Sequence, residues 1–218
     1  MTPSRLSHLF ELLKNSSLDA LALAPGPTLR YLCGFRFDLM ERPIILLLAP
    51  PDVAAMVLPE LESGKLAACP LAIRMFTYGD NPATWQAAFH RAFQYLRLDD
   101  RRIGVEPSHL RVLELRYMEA AATSTRFISA EAALEPLRLV KDADEVNTLQ
   151  QSVRIAQQAF LAALPAIKPG VTERQLAAEL TIQLLRAGSD VDLPFPPLVA
   201  SGANAANPHA TPSDRRLQ

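Results

Sequence analysis

Apolar positions recur in two rhythms along the chain, and the rhythm changes near residue 135. Up to residue 134, short apolar runs bounded by Pro, Gly, Asp and Asn alternate with longer stretches of helical composition. Asp19–Leu23, Ile44–Leu48, Val53–Leu58, Leu71–Thr77, Arg102–Val105 and Arg126–Ile128 read as strands. The second and third of these, joined by Ala49-Pro50-Pro51-Asp52, read as a hairpin. An amphipathic N-terminal segment (Leu6, Leu9, Phe10, Leu12, Leu13), Ala83–Leu96 and Leu110–Ala121 read as helices, the last capped from Pro107-Ser108. Strands alternating with helices predict an α/β layer domain with a mixed sheet.

Beyond Glu135 the period is helical. Asp142-Ala-Asp-Glu145 places a side-chain acceptor three residues before a carboxylate, the arrangement that satisfies free N–H groups at a helix start. The helix it opens carries Val146, Leu149, Val153, Ala156, Phe160 and Ala163, steps of three and four that predict a buried face over about five turns. Pro165 and Pro169-Gly170 end it. Thr172-x-x-Gln175 is a second capping box, opening a helix with Leu176, Leu180, Leu184 and Leu185 that closes near Gly188. Glu173 and Glu179 read as surface residues of this helix, and Asp190 and Asp192 as solvated loop residues after it. A short strand, Leu198–Ser201, then leads into a small-residue loop that sets one histidine, His209, between Pro208 and Pro212.

Composition narrows the function classes. With 218 residues, 49% of them apolar and 21% charged, the chain has the material for one large or two small cores and is too apolar for disorder. Its 22 basic and 23 acidic residues form no basic stripe, which excludes nucleic acid as an expected partner. The longest apolar stretch, Pro43–Pro51, falls far short of the roughly 20 residues that span a bilayer. Glu11 interrupts the apolar N-terminal pattern, so that segment does not read as a signal peptide, and a cytoplasmic location is expected. Cys33 and Cys69 match no disulfide framework or metal-binding spacing and read as partly buried thiols.

Five stretches, in order, resemble the Xaa-Pro peptidase family of aminopeptidase P, prolidase and creatinase. They are Leu29–Phe35, Arg102–Glu106, Pro136–Lys141 with Asp144-Glu145, Ile167–Glu173, and Val199–Gly202 with Asn204 and Pro208-His209. The resemblance implies a ribonuclease-H-like mixed α/β domain over 1–134, followed over 135–218 by the N-terminal half of a pita-bread metallopeptidase domain. It implies metal-dependent hydrolysis of the bond between an N-terminal residue and proline, with a proline-containing peptide or dipeptide as substrate and a homo-oligomer, such as a dimer, as assembly. Two divalent ions (Mn, Co or Zn) are implied for the complete enzyme. The family's five ligands match no position here, so the expectation is a chain inactive alone. The resemblance assigns His209 to catalysis and substrate binding, as the donor to the scissile carbonyl or tetrahedral intermediate. A histidine held in a loop by two prolines is its bland alternative. Phe195 falls where the family packs a pocket aromatic on substrate; a core phenylalanine is the other reading. Asn204 reads as a loop stabiliser through side-chain to backbone bonds. Two further functions fit the same residues: a creatinase-type amidinohydrolase, and a non-catalytic module that binds peptides or dimerises.

Overall fold

The computed structural model describes residues 3–69 and 71–218, and the chain divides into two compact units between Val140 and Lys141. In the first, β1 (Ala20–Leu23), β2 (Ile45–Ala49), β3 (Val53–Pro59), β4 (Ile73–Tyr78), β5 (Arg102–Val105) and β6 (Arg126–Ser129) form one sheet of order β4-β3-β2-β1-β5-β6. β1 and β3 run antiparallel to β2, and the remaining pairs are parallel, so the sheet is mixed. The expected hairpin is present, with Leu46 opposite Met56 and Leu47 opposite Ala55.

β1 and β2 are buried at every position because helices cover both faces of the sheet. Alternate residues divide between the two sides. Leu21, Leu23, Leu46, Leu48, Met56 and Leu58 share one core with α1 (Pro3–Lys14), α2 (Pro27–Cys33) and α5 (Glu131–Leu139). Ala22, Ile45, Leu47, Ala55 and Val57 share the other with α3 (Trp85–Leu96) and α4 (Val112–Ala121) through Phe89, Phe93 and Met118. At Gly104 in β5 a Cβ would stand 2.7 Å from Leu18 Cδ1 and 2.8 Å from the Ala130 Cβ, so only glycine lets the layers close there. Gly34 adopts φ 79° to end α2, and its N–H donates to Arg30 O at 2.8 Å.

Two sequence expectations change in this unit. Pro107-Ser108 does not cap α4; these residues sit in a turn where His109 and Leu110 N–H donate to Glu106 O at 3.0 and 2.9 Å. The helix starts later, with Arg111 at the N-cap, and Arg111 instead pairs with the fully buried Glu114 and donates to Met40 O. Cys33 is fully rather than partly buried, and desolvation, followed by the neighbouring Cys69, pushes its thiol up to about 12.

In the second unit both capping boxes form. Asp142 Oδ1 accepts from Glu145 N at 2.8 Å and Thr172 Oγ1 from Gln175 N at 3.1 Å, with the reciprocal bonds at 2.9 and 3.0 Å. They start α6 (Ala143–Ala163) and α7 (Glu173–Arg186), which pack on each other. The predicted buried face of α6 is buried only at its C-terminal end. Val146, Leu149, Val153 and Phe160 are 41 to 55% exposed, whereas Ala163 of that face is buried, together with Ala159 beside it. The spacing marks a face able to be buried, and the small side chains near the end of the helix are the ones that are. The expected strand over Leu198–Ser201 is likewise an extended segment without a ladder, since it has no strand partner among the described residues. Among the described residues no helix is long and apolar enough to cross a membrane.

Substitutions on α6 separate the two faces. Ala159→Leu should cost roughly 1–3 kcal/mol by overpacking, and Leu149→Ser no more than about 0.5 kcal/mol as an exposed change. Urea unfolding of the chain measures both; a larger loss at Leu149 would restore the original face.

Candidate functional site

The histidine loop is assembled on the start of α7. The first N–H groups of a helix have no partner within it. Here the last residues of the chain supply acceptors: Glu173 N donates to Arg215 O at 3.0 Å and Arg174 N to Ser213 O at 3.1 Å. Just upstream, Gly170 N donates to Leu217 O and Leu217 N to Val171 O, at 2.9 and 2.8 Å, around an antiparallel bridge between Thr172 and Arg216. Residues 213–217 therefore lie along the turn entering α7.

Glu173 closes the loop at both ends. Its side chain is fully buried, contrary to the surface position expected of it. Oε1 accepts from Ser201 N at 2.7 Å, Ser201 Oγ at 3.0 Å and Asn204 Nδ2 at 3.2 Å. Oε2 accepts from Ser213 Oγ at 2.7 Å, Ser213 N at 3.1 Å and Asn204 Nδ2 at 3.1 Å. The Ser213 hydroxyl is the largest influence in holding the carboxyl down to about 2; Ser201 N–H, Asn204 and Ser213 N–H add to it and outweigh desolvation, which acts the other way. A carboxylate in the first turn also meets the favourable end of the helix dipole.

Between these anchors lies His209. Its N–H donates to Asn207 Oδ1 at 2.9 Å, Ala210 N donates to Asn207 O at 3.1 Å, and Ala210 is buried. The backbone at His209 is thus held on both sides while the residue itself is exposed. Gly202, at φ 52°, leaves room for the Arg215 guanidinium, which a Cβ would strike. Asn204 stabilises the loop as expected, but through side chains: besides Glu173 it donates to Ser213 Oγ at 3.3 Å. Phe195 stands before the loop, 66% exposed and outside this network.

Sequence reasoning passed over Glu173 and Ser213. The signal for Glu173 was present: positions 173, 176 and 180 share one helix face, so its carboxylate stands in line with Leu176 and Leu180. Ser213 carried none. Asp190 and Asp192 are exposed. Asp214 is an exposed partner of Arg174 at 3.3 Å, and every acceptor direction of Glu173 is taken. Among the described residues no three His, Cys, Asp or Glu side chains gather to hold a metal. The donors around His209 therefore do not fit a metal pair.

Known proteins complete the picture. Residues 5–140 match the model of the creatinase/prolidase N-terminal domain, and residues 147–218 match that of metallopeptidase family M24. The chain belongs to the creatinase/prolidase family. It is 23% identical over 215 residues to an uncharacterised peptidase of Staphylococcus aureus, covering 99% of this chain and 59% of that protein. It resembles the solved dipeptidase of Pyrococcus horikoshii (28% identity, TM-score 0.86, 98% of this chain and 58% of the other). The recombinant prolidase of Thermococcus sibiricus shares the fold at 22% identity (TM-score 0.87, 100% of this chain and 59% of the other). The chain thus spans less than two thirds of the length of these family members.

The depressed carboxyl of Glu173 sets an acid limit on the loop. A group whose folded pKa lies below its unfolded value contributes stability that is full above the unfolded pKa, about 4.5, and lost as pH falls toward the folded value, about 2. Thermal unfolding followed from about pH 6 to about pH 2 should show this loss in the second unit, and Glu173→Gln should lack it. Identical pH profiles for the two proteins would contradict this account of Glu173.

Proposed function

We propose that this chain supplies the substrate-pocket side of an Xaa-Pro peptidase, with His209 as the donor to the scissile carbonyl. The observation supporting this is the pinned backbone of His209, an exposed residue, in a chain whose family includes solved dipeptidases and prolidases. A bond to proline is a tertiary amide without an N–H, so recognition must work through its carbonyl and its ring. An imidazole N–H directed at the carbonyl oxygen stabilises charge that develops only in the transition state. The face of Phe195 offers a surface on which a proline ring packs.

Metal chemistry in this family polarises the carbonyl and activates water; in this reading it comes from residues other than those described, and the chain alone is inactive. Cytoplasmic location and a homo-oligomeric assembly belong to the same proposal. Solved neighbours that are named dipeptidase and prolidase favour peptide hydrolysis over the amidinohydrolase alternative.

Two measurements test the reading. The purified chain, incubated with manganese, cobalt or zinc, should not turn over an Xaa-Pro dipeptide, and elemental analysis should find no tightly bound pair of ions. Turnover by the chain would refute that part. In a complete enzyme containing this chain, His209→Ala should lower kcat by roughly a hundredfold while KM changes far less. An unchanged kcat would leave His209 a structural residue.

A further inference from the structure

Glu173 is fully buried, and every donor that meets its carboxylate lies on the stretch that carries His209: Ser201 and Asn204 before it, Ser213 after it. We propose that Glu173 is the positioning residue of the His209 loop, and that it must be a carboxylate to act as one. The inference deepens the reading of His209 given above and rests on it.

The chemistry of the donors makes the requirement strict. Each carboxylate oxygen receives one backbone N–H, Ser201 N at 2.7 Å on Oε1 and Ser213 N at 3.1 Å on Oε2. A backbone N–H cannot turn its hydrogen away. Glutamine has one oxygen and one NH₂ group, so in either amide orientation an NH₂ faces one of these two N–H groups, donor against donor. Hydroxyls could reverse their roles; the two amides cannot. Aspartate keeps both oxygens but is shorter by one methylene and cannot reach both ends of the loop from the same helix position. Glu173 thus ties the residues before and after His209 to one rigid point on α7. The span between them is further held by the Asn207 contact to His209 N and by buried Ala210.

Isotope-labelled chain without ligand tests the proposal by amide hydrogen exchange and the His209 ring signals. In Glu173→Gln the amides of Ser201 and Ser213 should exchange faster by roughly tenfold or more. The His209 ring signals should move toward those of an unstructured peptide, while amides of the central sheet keep their wild-type rates. Ser213→Ala removes one hydroxyl donor and leaves both backbone amides in place, so it should shift the same His209 signals in the same direction by less. Wild-type exchange at both amides would overturn the proposal. So would faster exchange with His209 signals unchanged in both variants, because Glu173 would then hold the loop without placing the histidine. General unfolding of Glu173→Gln leaves Ser213→Ala to decide by the same criterion. No substrate is present, so failure of the assigned role of His209 in catalysis would leave this result standing, and the reverse holds equally.

Discussion

A carboxylate shut away from water must be surrounded by donors or give up its charge, and that constraint governs the second half of this chain. Glu173 meets it with five donor groups drawn from residues 201, 204 and 213. Satisfying one side chain in this way gathers two distant stretches onto the first turn of α7. The free N–H groups of that turn extend the same logic, since the carbonyls of Ser213 and Arg215 complete them. A loop of small residues with no regular structure of its own thereby obtains a defined path.

The first unit depends on a different constraint, the burial of a sheet on both faces. Strands too apolar to face water require helices on either side, and the alternation of Leu21 and Leu23 with Ala20 and Ala22 assigns each residue to one of two cores. Of the buried carboxylates in this unit, Glu114 follows the rule seen at Glu173, met by Arg111, whereas Glu106 accepts from Thr28 Oγ1 at 2.7 Å through one oxygen and its buried Oε2 has no hydrogen-bond partner among the described residues. The two units differ in means: apolar surface dominates one, and polar satisfaction shapes the His209 loop of the other.

How legible each part was follows from the range of the forces involved. Strand runs such as Val53–Leu58 and the capping boxes at Asp142 and Thr172 depend on neighbours in sequence, and they appear where the pattern placed them. The face of α6 depended on what would pack there: Ala163 of the predicted face is buried, with Ala159 beside it, while Val146, Leu149 and Val153 are exposed. The Leu198–Ser201 run has the composition of a strand, yet a strand exists only with a hydrogen-bonded neighbour, and the chain provides none among the described residues.

By itself the sequence determined the mixed α/β architecture, the two capped helices and the resemblance that singles out His209, because periodicity, caps and motifs are local properties. Tertiary structure alone decided that Ser201, Asn204 and Ser213 converge on Glu173, and that residues 213–217 run beside the start of α7. Those contacts join positions 28 to 47 residues apart, and nothing in the order of residues states which donors will find a buried carboxylate.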